Sequence, residues 1–255
     1  MRFFHIEIKN KGTSRLLTAV ALALIISCPA LGQSQKQVLW NYRGKAIDQQ
    51  TGELLFTAKF TEKRINGHLE SMETQYFDPK TGQKIADRKA VFEQPGSFNP
   101  NFVFHNYRTG SMEVVDFSNQ NAALYYKKNQ GSTAYKKQLT QIPKPIVADA
   151  GLVELVLNRW SDLQQGKVVN LQIVVPSRLD YYPFQLCKNK KESNEQTMVI
   201  YFTSSNWFIR QLVSPIVLSF DTRSKRLVQY AGTTNLTNEN GELIMKALIT
   251  YQFDN

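Results

Sequence analysis

The chain has 255 residues, with 31 Lys and Arg against 21 Asp and Glu, a net charge of +10, and 42% apolar residues. That length can bury one substantial core, and two cysteines exclude a small disulfide scaffold. The basic balance favours anionic partners such as a lipid or membrane surface, while no nucleic-acid-binding module is present, so nucleic acid is not an expected partner.

Residues 1–32 read as an export signal. Arg2, Lys9, Lys11 and Arg15 precede the apolar run Leu16–Ile26, and Ser27-Cys28-Pro29-Ala30-Leu31-Gly32-Gln33 follows. The run is well short of the roughly 20 apolar residues that a spanning helix needs. Two processing readings compete. Cleavage before Gln33, after the A-x-G pattern of Ala30 and Gly32, yields a secreted protein of 223 residues. Ile25-Ile26-Ser27-Cys28 instead resembles a bacterial lipobox, which makes Cys28 the lipidated first residue of a lipoprotein, with Pro29 pointing to the outer membrane. Either way the expected location is outside the cytosol: periplasmic, outer-membrane associated or secreted. Without residues 1–32 the chain keeps 27 basic against 20 acidic residues, a charge of +7. Cys187, in Phe184-Gln185-Leu186-Cys187, reads as a buried small hydrophobe.

Residues 33–255 read as a single β-rich domain of short extended segments separated by turn residues. A strand meander covers 37–142. Strands at 38–48, 54–63 and 68–78 flank Gln49-Gln50-Thr51-Gly52 and Ile65-Asn66-Gly67, and Asn-Gly is the strongest two-residue hairpin signal. Centring that turn places Phe56 opposite Phe77 and Lys63 opposite Glu70. Further strands at 84–93, 102–106, 112–117, 122–128 and 133–141 lead to Pro143-Lys144-Pro145, which stops the sheet. One long helix is predicted over 148–165, with Leu152, Val156, Trp160 and Leu163 at helical spacing and Gly166 as its cap. A second strand set covers 167–253. It is interrupted by a short helix from Trp207 to Val213, for which Ser204-Ser205-Asn206 offers capping side chains.

About a dozen strands with short connections imply an antiparallel α+β architecture: a strongly curved sheet, half-barrel or open barrel, carrying one long and one short helix. That order, together with Leu218-Ser219-Phe220-Asp221 and Arg226-Leu227-Val228-Gln229-Tyr230-Ala231-Gly232, resembles the bacterial LolA/LolB-type half-barrel. The resemblance covers most of residues 37–253 as architecture and implies a concave apolar face that holds acyl chains.

A search for chemistry returns little. His68 and His105 lack a second ligand at metal spacing, and there is no H-E-x-x-H, C-x-x-C, G-x-S-x-G or Walker loop, so no metal or cofactor is expected. Asp149 and Glu154 sit where acidic residues offset a helix dipole, and Asp180 precedes Tyr181-Tyr182. The expected function is therefore non-enzymatic: an envelope protein binding a lipid or other amphipathic ligand, with Phe56, Phe77, Trp160 and Trp207 as candidate cavity residues. A basic, aromatic hairpin, in which a turn centred on Gln130-Gly131 places Tyr126 opposite Tyr135 with Lys128 and Lys137 on the same face, adds these four residues as a candidate contact for headgroups or polyanions. A secreted hydrolase with a carboxylate and tyrosine cleft and a structural or adhesion module are the alternatives.

Overall fold

The computed structural model describes residues 36–212 and 214–254. The segment read above as an export signal, with Cys28, Gln33 and both cleavage readings, lies outside the described residues. The meander β1 (Gln37–Asp48), β2 (Leu54–Ile65), β3 (His68–Phe77), β4 (Lys84–Val91), β5 (Asn101–Asn106), β6 (Ser111–Ser118), β7 (Asn121–Lys127) and β8 (Tyr135–Leu139) comes first. A two-residue strand β9 (Ile146–Val147) precedes helices α1 (Gly151–Asn158) and α2 (Trp160–Gln164). Then follow β10 (Val169–Val175), β11 (Asp180–Lys188), β12 (Thr197–Ser204), helix α3 (Trp207–Leu212), β13 (Ile216–Asp221), β14 (Leu227–Gly232) and β15 (Ala247–Phe253).

All fifteen strands form one sheet in the order β8-β7-β6-β5-β4-β3-β2-β1-β15-β14-β13-β12-β11-β10-β9, curled but not closed. Every neighbouring pair is antiparallel except β9 with β10. The curl follows from chain length. Laid flat, fifteen strands would measure about 67 Å across. Yet the two edge strands β8 and β9 are consecutive, and the residues between Leu139 and Ile146 reach no further than about 25 Å. The edges must therefore face each other across a gap. The 3₁₀ turn Pro176–Arg178 packs against β6 and β7 on one side of it, and Lys137 Nζ lies 3.4 Å from Asp180 Oδ2.

Local chemistry sets the turns. Asp48, Asp78 and Asp221 each accept a backbone N–H from two or three residues ahead through Oδ1, at 2.6–2.9 Å. The residue four ahead closes the loop at positive φ: Gly52, Gly82 and Lys225. Asn66 and Gly67, both at positive φ, form the predicted hairpin turn and pair Ile65 with His68. The expected register then slips, because Glu70 is extruded as a β-bulge. Lys63 consequently pairs with Ser71 and Thr57 with Phe77, although Lys63 Nζ still reaches the bulged Glu70 carboxylate at 2.6 Å. Phe77 is moved to the convex face, under Lys59 Nζ at 5.2 Å.

The predicted long helix is two pieces. It starts at Gly151 rather than 148, because Ala148 donates its N–H to Phe98 O at 3.1 Å and Asp149 adopts φ 47°. It changes geometry at Arg159, although Arg159 N–H to Leu155 O and Leu163 N–H to Arg159 O continue the helical bonding. Gly166 caps it at φ 81°, as expected.

Two hydrophobic cores result. One lies along the concave side of β1–β7 and includes Tyr42, Phe56, Phe60 and Phe104. The other packs Leu155, Val156, Trp160 and Leu163 against Leu171, Leu186, Ile200 and Phe220.

Candidate functional site

Between the two cores is a cavity of about 630 Å³. Tyr42, Phe56 and Phe60 on β1 and β2 form one wall. Phe184, Phe202 and Leu218 on β11, β12 and β13 form the other, and Leu152, Val153 and Leu157 of α1 cover it. The strand period of two selects these side chains, because the even-numbered residues from Trp40 to Ala46 on β1 and from Phe56 to Arg64 on β2 face the concavity, up to the bulge opposite Ala46 and Ile47. A volume of this size is typical of small-molecule sites.

Charge enters the apolar wall in two clusters and at the basic pair Lys225 and Arg226, the Arg226 guanidinium lying 4.7 Å from both the Trp40 and Phe253 rings. On β2, Arg64 donates from Nε to Glu62 at 2.9 Å, from Nη2 to Glu154 of α1 at 2.8 Å and from Nη1 to Gly67 O at 3.2 Å. Tyr42 OH donates to the other Glu62 oxygen at 2.6 Å, and the Arg64 guanidinium lies 4.8 Å from the Trp40 ring. Burial opposes the Arg64 charge, but the two carboxylates more than offset it and hold its pKa above the ordinary value.

The second cluster runs along one rung of the sheet. Tyr42, Phe60 and Thr74 on β1–β3 are in register with Arg88, Phe104, Glu113 and Tyr126 on β4–β7. Arg88 Nη1 lies 2.5 Å from Asp149 Oδ1, just ahead of α1. Arg88 Nε and Asp149 Oδ2 are buried and carry no hydrogen bond. Glu113 also lines the cavity, is only 8% exposed, and among the described residues takes part in no hydrogen bond or ion pair. Burial pushes its carboxyl up to about 7; Arg88 opposes the rise and Asp149 adds to it. Tyr230 and Tyr251, also in the cavity wall, are held above the ordinary phenol range by burial.

The candidates drawn from the sequence are not gathered into one site. Phe56 lines the cavity, fully buried and edge-on to Tyr76 at 5.7 Å between centroids. Phe77 is on the convex face. Trp160 belongs to the second core, edge-on to Phe220 and under Lys225. Trp207 is 58% exposed on α3 beside Phe208. The hairpin register pairing Tyr126 with Tyr135 is as expected. Both face the concave side, however, and Lys137 is engaged with Asp180, whereas Lys128 is exposed beyond the end of β7. His105 sits on the convex side, 3.5 Å from Asp87 and stacked on Tyr107. Cys187 is half-buried, and burial raises its thiol pKa.

Asp149 and Glu154 serve as partners of Arg88 and Arg64 rather than as dipole compensation. Arg88 and Glu113 went unread, although parity carried a signal: each shares its strand face with core residues, Ala86 and Ala90 for one, Val115 and Phe117 for the other. No group of three or more His, Cys, Asp or Glu among the described residues is placed to hold a metal. No family model matches the chain, and no curated protein is detectably similar to it.

Proposed function

We propose that this chain is a non-enzymatic exported envelope protein that holds a lipid or other amphipathic ligand in the concave cavity. The observation that carries this reading is the cavity of about 630 Å³, walled by aromatic side chains from both halves of the sheet and covered by α1. The architectural resemblance to LolA/LolB-type half-barrels agrees with it. Native mass spectrometry of protein purified without detergent should show an adduct of lipid mass, and stripped protein should take up a fluorescent fatty acid. Bare protein that ignores the probe overturns the reading.

A secreted hydrolase is the second reading. The observation in its favour is that Glu113, Asp149, Tyr76 and Tyr230 share one cleft. Turnover of aryl esters or glycosides, abolished by Glu113→Gln, would select it.

A further inference from the structure

The two charged clusters in the cavity wall differ in a way that points to a ligand. The Arg64 cluster is closed: three guanidinium nitrogens and both Glu62 oxygens have partners within the protein. Such a cluster is self-sufficient. The other cluster is open. Arg88 and Asp149 are joined by one contact, and the Glu113 carboxyl beside them faces the cavity with no partner among the described residues. Buried polar groups are hydrogen-bonded in nearly all folded proteins, so an unpartnered carboxyl aimed into a cavity marks a position that another molecule completes.

We propose, resting on the lipid-binding reading, that Glu113 seats the polar end of the ligand and that this end is an uncharged group able to donate and accept, a hydroxyl or an amide. The surrounding charges select this chemistry. The Asp149 carboxylate already neutralises the Arg88 cation, so a fatty-acid carboxylate or a phosphate seated beside Glu113 would add a negative charge that Arg88 alone does not balance. A cationic headgroup would meet Arg88 itself, which already lies against the Tyr76 and Phe104 rings at 5.9 and 5.5 Å. A neutral carboxyl, the form that burial favours up to about pH 7, offers one O–H donor and one carbonyl acceptor. A hydroxyl or amide complements both. With the head at Glu113, the chain of the ligand runs across the rung, past Phe104, Arg88 and Thr74, towards the cavity residues Phe60 and Tyr42 on β2 and β1.

The test compares three probes with one acyl chain, 1-monooleoylglycerol, oleamide and oleate, titrated against the full chain after lipid removal. The expected result is at least ten-fold tighter binding of the two neutral probes than of oleate at pH 6. Glu113→Leu should erase that difference. Glu113→Gln, which keeps a donor and an acceptor, should preserve it, with an unchanged circular dichroism spectrum showing that each variant is folded. Oleate binding as tightly as the neutral probes overturns the headgroup assignment and leaves the lipid reading standing, as does a preference that survives in Glu113→Leu. Failure of all three probes to bind overturns the lipid reading and this assignment with it.

Discussion

Two guanidinium groups rise from the concave face to meet the same helical segment, and their surroundings make opposite demands on stability. Arg64 is shared by Glu62 and Glu154, with its side chain 8% exposed. Removing it leaves two buried carboxylates without a counter-charge, so Arg64→Met should cost about 3–5 kcal/mol in urea denaturation at pH 7. Replacing all three charged residues by apolar ones should recover most of that loss. Glu113 behaves the other way. Its folded pKa of about 7 exceeds the unfolded value near 4.5, so between those pH values the folded state binds more protons than the unfolded one. Its contribution to stability is therefore fully present below about pH 4.5 and is lost as pH rises through 7, a change of about 3 kcal/mol. Glu113→Gln should leave Tm nearly unchanged at pH 5 and raise it by roughly 5–10 °C at pH 8. Thermal melts at the two pH values check this; equal shifts at both would show that the carboxyl does not titrate in that window.

At the scale of strands and helices, what could be read in advance depended on whether the determinants were local. The hairpin between β7 and β8 keeps a regular register, and Tyr126 does pair with Tyr135. The β2–β3 hairpin has an equally clear Asn-Gly turn, but extrusion of Glu70 moves everything beyond it by one residue. A one-residue slip reverses the face of each side chain, which is why Phe77 leaves the cavity and Phe56 stays. The bulge has no local sequence signature. The start of α1 is likewise a tertiary matter. A Cβ added at Gly151 would lie 1.8 Å from Phe98 O, in the loop between β4 and β5. Relief requires backbone movement, so Gly151→Ala should cost about 2 kcal/mol or more despite its better helix propensity. Chemical denaturation would show this, and a stabilised variant would mean that the loop yields freely.

For the molecule as a whole, alternation and short turns made the antiparallel class legible, and the β8–β9 connection implies the curl once their edge positions are known. The cavity charges were harder, because Arg88 and Glu113 become neighbours only through a rung spanning β4 to β6. The order of strands has one more consequence. The seam between β1 and β15 joins residues as distant in sequence as Tyr42 and Phe253, while the remaining antiparallel pairs are consecutive in the chain. Ring closure of that length is entropically slow. A circular permutant opened between Leu139 and Ile146, with Asp254 joined to Gln37 by roughly eight flexible residues, has linker enough to cover the separation. Its strands would then follow one another around the sheet without a single long-range jump. It should refold faster than the parent in stopped-flow Trp fluorescence, with the unfolding rate little changed. An unaltered refolding rate would place the slow step elsewhere. The native chain thus cannot complete the middle of its sheet until its last strand arrives, so a fragment lacking β15 presents two unjoined edges.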